Sequence, residues 1–273
     1  MTETLEHPPL ISHFDHDVLT LQLNRPGRAN SLTPELLETG LNALHEHSDA
    51  HTIVLTGAGR AFSAGGDLGG FLEHAETTEA LLGYSDRLVG LLNAFILALV
   101  ESEGLVLAAV NGPVTGGSLG LVLAADHAVF AETAFVQPYY GQIGFAPDGG
   151  WTAMLPDVIG AAQTRNWIAT DVRYDAITAL HIGLAHEVAA ADEFGTTVRE
   201  AMERLAVMDR AVIQASRRML NADRDALENK LEREKRAFLD LIARPSTLSR
   251  MRAFAGGKHR DSDTLREVHS DDH

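Results

Sequence analysis

The period of apolar and polar positions changes repeatedly along the chain. "DVLTLQL" (residues 17–23) alternates apolar with polar, the pattern of a half-buried strand. After the turn-rich loop "NRPGRANSLT" comes "TPELLETGLNAL". Thr33 is placed as an N-cap, Pro34 takes the first helical position, and leucines recur at 36, 37, 41 and 44. That spacing predicts an amphipathic helix. "TIVLT" (52–56), "LVLAAV" (105–110) and "HAVFA" (127–131) read as further strands, the first two as buried runs. A long helix is predicted over roughly 79–101 and a short buried one in "SLGLVLAAD". The strand, loop, helix rhythm predicts an α/β core with largely parallel pairing.

From about residue 192 the chain turns helical. "LENKLEREKRAFLDLIA" carries leucines at 227, 231, 239 and 241 amid dense charge, typical of an amphipathic helix at an interface. We therefore expect a core over 1–195 and a helical region over 196–273. No Pro/Ser-rich linker divides them, so the tail should pack on the core or on a neighbouring subunit.

Two loops share one logic. Each follows a buried strand, carries a glycine pair and enters a helix: Ala64-Gly65-Gly66-Asp67 and Gly116-Gly117-Ser118. Glycine lets backbone approach a ligand closely, and a helix start presents N–H groups without partners. Two such N–H groups could converge on one oxygen as an oxyanion hole. Each loop could also be a tight turn and nothing more. The second loop also spells G-x-S-x-G, the nucleophile elbow of serine hydrolases. An elbow serine should end its strand, yet Asn111 to Thr115 separate "LVLAAV" from Gly116. A triad would also need a histidine, for which His181 and His186 are available.

Composition narrows the partners. The chain has 273 residues and is 45% hydrophobic and 22% charged, an ordinary globular mix. A net charge of −16 argues against nucleic acid but leaves room for a small anionic ligand beside a local basic patch. The absence of cysteine excludes disulfides, thiolate metal sites and a Cys nucleophile. No H-E-x-x-H spacing occurs, so no metal is expected, and "REVHSDDH" reads as a solvated tail. The longest apolar run, 88–100, is broken by Gly90 and Asn93, so no membrane span is expected. The N-terminus lacks the basic and apolar regions of a secretory signal, and a cytoplasmic location is expected.

Taken together, "LTLQLNRPGRANSLTPELL", "VLTGAGRAFSAGGDL", "LVLAAVNGPVTGGSLGLVLAAD", "IGFAPDGGWTAMLPDVIG" and "ATDVRYDAITALHIGLAHEV" resemble the crotonase (enoyl-CoA hydratase/isomerase) superfamily, in family order and spacing. The resemblance implies a spiral of ββα units with a helical C-terminal region. It also implies assembly as trimers or pairs of trimers. The implied ligand is an acyl-CoA thioester, with coenzyme A as part of the substrate and no separate cofactor. It places the two oxyanion N–H groups on Gly66 and Gly117, the adenine-pocket backbone on Ala64 and the basic residue on Arg28. Gly65, Asp67 and Leu68 fall in the same substrate-binding segment.

The chain departs from the family's hydratases at both glutamates. One position falls on Gly120, the other on Tyr139 or Tyr140. Asp148, in "APDGG", stands where several family isomerases and the aryl-CoA dehalogenases keep a working aspartate, although Pro-Asp-Gly is also a turn signal. A lone carboxylate beside an oxyanion hole suits proton shuttling. It would need burial, by neighbours such as Phe145 and Trp151, to raise its pKa. Either tyrosine could donate a hydrogen bond to substrate or line an aromatic pocket. Isomerase-like proton transfer is therefore favoured. The alternatives are an acyl-CoA binder without turnover and a serine hydrolase using Ser118.

Overall fold

A computed structural model describes residues 8–220 and 223–256. The tail motif "REVHSDDH" and the end of the expected 196–273 region lie outside the described residues. The first elements are β1 (Leu10–Asp15), β2 (Val18–Leu23), α1 (Pro34–Glu46), β3 (Thr52–Gly57), α2 (Leu68–Glu73), α3 (Thr78–Glu101) and β4 (Leu105–Val110). Then come β5 (Val114–Thr115), α4 (Leu119–Leu123), β6 (His127–Ala131), β7 (Phe135–Gln137), α5 (Tyr140–Ile143), α6 (Leu155–Ile159) and α7 (Ala161–Thr170). The last are β8 (Tyr174–Asp175), α8 (Ala176–His181), β9 (Glu187–Ala189), α9 (Phe194–Ala206), α10 (Arg210–Leu220), α11 (Arg224–Ile242) and α12 (Pro245–Ala255).

The predicted strands form the middle of a six-stranded sheet ordered β1-β2-β3-β4-β6-β9. β1 and β2 are antiparallel and the remaining pairs parallel. β3, β4 and β6 lack alternation because both faces are covered. Val106, Ala108 and Val110 face the main core, while Val54, Leu107, Ala109 and Val129 pack against Ala201 of α9. The Thr33 side chain caps α1 by accepting from Leu36 N–H at 3.2 Å, as the sequence predicts.

A second sheet, β5-β7-β8, was not legible in the hydrophobic pattern. Two isolated parallel bridges, Leu32 with Gly66 and Ser63 with Val114, carry the same pairing back to the earlier loops. Each of four main strands is thus followed by a brief extended segment and then a helix. This is the expected ββα spiral. The second β element of each unit is one to three residues of bridge or strand, too short for a period-2 signal.

One expectation needs correction. α3 is long and apolar enough to cross a membrane by length and composition, contrary to the expectation that no segment is. Here α1 and α11 pack against it, and Leu88, Leu92, Phe95, Ile96 and Leu99 belong to the core. On α11 the buried positions are Leu231, Glu234, Phe238 and Ile242, whereas Leu239 and Leu241 are only half-buried. Spacings of 3, 4 and 4 put one acid on the inner stripe.

Candidate active site

The two glycine loops meet. Leu32 N–H donates to Gly65 O at 2.7 Å, and Asp67 N–H donates to Leu32 O at 3.0 Å. In this parallel bridge Leu32 bonds to the residues on either side of Gly66, which leaves the N–H of Gly66 out of the pairing. Gly65 and Gly116 touch at backbone distance: a Cβ on Gly65 would lie 2.7 Å from Thr115 O and 3.5 Å from Gly116 Cα. Gly65 has φ +77 and Gly116 φ +55, so both need glycine's freedom. Gly117 sits in the tight turn Gly116–Ser118 that opens α4, where N–H groups have no intrahelical acceptor. Trp151 pins this turn through its indole N–H, which donates to Gly116 O at 2.8 Å.

Gly66, Gly117 and Asp148 line one cavity of about 560 Å³. Asp148 is 7% exposed, and its two carboxylate oxygens would each lie 2.9 Å from a Cβ on Gly117. The Tyr140 hydroxyl donates to Asp148 Oδ1 at 2.8 Å, with Asp148 O at 3.0 Å. Burial pushes the Asp148 carboxyl up to about 7, against the hydrogen bond from Tyr140 and with a push from the Glu234 carboxylate. Burial and the Asp148 charge hold the Tyr140 phenol well above its usual range, so it stays a donor.

The structure separates the two tyrosines. Tyr140 is buried, edge-on to Trp151 at 5.9 Å. Tyr139 takes φ +61, donates its N–H to Asp171 Oδ1 at 2.6 Å and is half-buried against Phe254. Both line the cavity. Its apolar wall contains Phe71, Phe145 and Phe238, whose rings lie 4.9 to 5.8 Å apart. Its other end is exposed at Arg28 and Ala64, with Leu68 half-buried at the start of α2. Asp67 caps α2 by accepting from Gly69 N–H at 3.0 Å and pairs with Arg25 at 2.7 Å. Arg25 also donates to Ser31 O and Oγ, so this arginine braces the loop while Arg28 stands at the rim.

Gly120 has no room to be anything else. A Cβ there would lie 2.4 Å from Ile96 Cδ1 and 2.5 Å from Gly149 O. Ser118 is fully buried, and its hydroxyl is shared between Thr115 O at 2.8 Å and Ser63 O at 3.1 Å. Neither His181 nor His186 lines the cavity; His186 stacks on His127 at the end of the main sheet. Ser118→Ala should therefore leave thioester binding and turnover within a few-fold, and cost about 1 kcal/mol of stability. A fall of roughly a thousandfold, on the scale of a lost nucleophile, would restore the hydrolase reading. Among the described residues no group of three or more His, Asp or Glu side chains could hold a metal ion.

Sequence reasoning missed Arg25 and Glu234. Arg25 stands three residues before Arg28 in a loop without period, so nothing local distinguishes them. Glu234 carries a signal, an acid on the apolar stripe of an amphipathic helix.

Comparison with known proteins extends the picture. A sequence profile of the family described as enoyl-CoA hydratase/isomerase matches residues 13–259. "4-chlorobenzoyl coenzyme A dehalogenase-2" of an Arthrobacter species is 31% identical over 268 residues, 96% of this chain and 95% of the relative. "Probable enoyl-CoA hydratase echA6" of Mycobacterium bovis is 34% identical over 208 residues, 76% and 79% of the two chains. An enoyl-CoA hydratase structure from Bacillus halodurans shares the fold at TM-score 0.83 and 24% identity, covering 90% of this chain and 99% of that one. An enoyl-CoA hydratase/isomerase structure from Mycobacterium paratuberculosis superposes at TM-score 0.80 and 25% identity, covering 90% and 98%.

Proposed function

The chain belongs to the enoyl-CoA hydratase/isomerase family, and from that premise we propose that it moves a proton on an acyl-CoA thioester through an enolate, with Asp148 as the carrier. One observation carries the reading. A buried carboxyl held at about 7 lies against Gly117, in a cavity that both glycine loops line.

In this reading the N–H groups of Gly66 and Gly117 donate to the thioester oxygen. Ionised Asp148 takes a proton from the α-carbon, and the electron pair moves onto that oxygen. The enolate charge forms beside backbone donors fixed by the fold, so little reorganisation is needed. Return of the proton to the γ-carbon of an unsaturated chain migrates the double bond; return to the α-carbon gives exchange. Tyr140 orients the carboxylate through Oδ1. The exposed end at Arg28 and Ala64 suits the polar, anionic part of coenzyme A, and the phenylalanine wall suits the acyl group.

Hydration is disfavoured on steric grounds as well as by residue type. It needs two acid–base groups around a water, and Ile96 and Gly149 fill the space a side chain at position 120 would require.

The test is deuterium uptake into saturated and unsaturated acyl-CoAs, read by mass spectrometry across pH. As a base, Asp148 must be ionised, so the rate should rise with pH and level off above a midpoint near 7. A rate independent of pH between about 5.5 and 8.5 sinks this assignment.

A second reading has its own support, from the dehalogenase relative that covers almost the whole chain and from the three-phenylalanine wall. Here ionised Asp148 attacks the halide-bearing carbon of an aryl thioester, and halide leaves as an aryl ester forms. Water then cleaves the ester and restores the carboxylate. Chloride release from 4-chlorobenzoyl-CoA without deuterium exchange would reverse the order of the two readings.

A further inference from the structure

α11 places an acid where its inner stripe otherwise carries Leu231, Phe238 and Ile242. Glu234 is 4% exposed. Its carboxylate accepts four hydrogen bonds: Oε2 from Gly150 N–H at 2.8 Å, and Oε1 from Thr152 N–H at 2.5 Å, Thr152 Oγ1 at 2.7 Å and Ala153 N–H at 2.9 Å. Burial pushes its carboxyl above the usual range, and all four bonds, donated to it, pull against that push.

These donors belong to the turn that starts at Asp148. Gly149 and Gly150 have φ +63 and +89, so the turn offers several N–H groups that need an acceptor. On its other side the turn is wedged against the second glycine loop, where a Cβ on Gly149 would lie 2.1 Å from Gly117 O. The turn is held from two directions, and Asp148 is the side chain it presents.

We propose that Glu234 is a positioning residue, which reaches from the C-terminal helices to clamp the Asp148 turn over Gly117 and stands as a second negative charge behind Asp148. A helix that only needed to seat on the core would be better served by leucine, since a buried carboxylate must first give up its water. The charge has a consequence at Asp148. After burial, Glu234 is the group that pushes this carboxyl upward, while Tyr140 pulls it down. The other groups around Glu234 are Lys230 and Arg233 of its own helix, which flank Thr152 on the outer surface. Lys230 is drawn toward Asp157 at 3.8 Å, and Lys235 pairs with Asp86 of α3 and with Glu232. No cation among these bonds directly to Glu234.

The kinetic part rests on the reading of Asp148 as proton carrier; the titration part does not. The full-length protein, labelled with 13Cγ-aspartate, is titrated by NMR, and Asp148→Asn assigns the resonance. Glu234→Gln keeps the size and removes the charge. The Asp148 midpoint should fall by roughly half a pH unit or more. The limiting deuterium-exchange rate should fall roughly tenfold to a hundredfold, as expected for a displaced group, with KM nearly unchanged. A folded Glu234→Gln whose Asp148 midpoint does not move overturns the proposal. If the wild type exchanges no proton, the rate arm fails together with the proposed function, and the midpoint still decides. If Glu234→Gln does not fold, Thr152→Val serves instead. It removes one donor and loosens the turn, so water reaches Asp148 and its midpoint again falls; an unmoved midpoint overturns the clamp.

Discussion

Asp148→Asn should cut α-proton exchange and double-bond migration by at least about a hundredfold while leaving the thioester bound. The amide is nearly isosteric and can still accept from the Tyr140 hydroxyl, which now meets Asp148 Oδ1 at 2.8 Å. Gly66 and Gly117 are untouched, so affinity for a non-reactive thioether analogue, measured by calorimetry, should stay within a few-fold. What is lost is a basic site.

The same substitution should stabilise the fold at high pH. The Asp148 carboxyl titrates at about 7 in the folded chain, against an ordinary value of 3.8. Between those values the folded state holds a proton that the unfolded state has released, so the contribution of Asp148 to stability falls as pH rises through that window. Asparagine removes this dependence. The Tm of the variant relative to wild type should therefore be higher at pH 8 than at pH 4. An exchange rate equal to wild type would reduce Asp148 to a turn residue.

Gly117→Ala should be the more damaging change, because it strikes both halves of the site. The added methyl would lie 2.9 Å from each Asp148 oxygen and 2.9 Å from Leu92 Cδ2. Such contacts cannot stand. Asp148 cannot retreat freely, because Gly149 is wedged behind it and Glu234 holds the residues that follow. The strain must move the Gly117 backbone, and with it the N–H proposed to hold the thioester oxygen. Loss of one such donor costs roughly a hundredfold to a thousandfold in turnover, and overpacking adds about 1–3 kcal/mol of lost stability. Unlike Asp148→Asn, this variant should also bind a saturated acyl-CoA thioester more weakly. Activity within tenfold of wild type, in a variant of normal Tm, would mean that Gly117 and Asp148 are not opposed across the reacting atoms.

Much of this was legible in residue order, wherever the determining interaction is local. Alternation in 17–23 marked β2, Thr33 and Pro34 marked the start of α1, and the glycine pairs at 65–66 and 116–117 marked backbone that must run close to something. Helical period and capping act over three or four residues, and a strand's alternation over two, so a single chain displays them. The site is different. Gly150 and Glu234 are 84 residues apart and Arg25 and Asp67 are 42 apart; Glu234 shows locally only as an acid on an apolar stripe, and nothing local names either partner. Only the folded chain separates Tyr140, whose hydroxyl donates to Asp148, from Tyr139, which turns toward Phe254 and donates its own N–H to Asp171. Only the folded chain spends the Ser118 hydroxyl on two carbonyls and closes the space beside Gly120. The strands β5, β7 and β8 likewise exist because neighbouring ββα units stack, since two or three residues have no stable extended form until a partner supplies the hydrogen bonds. Sequence thus determined which segments could become strands, helices and glycine turns. Tertiary packing decided which side chains face one another across the cavity, because burial and charge at Asp148 are properties of neighbours brought together from three separate parts of the chain.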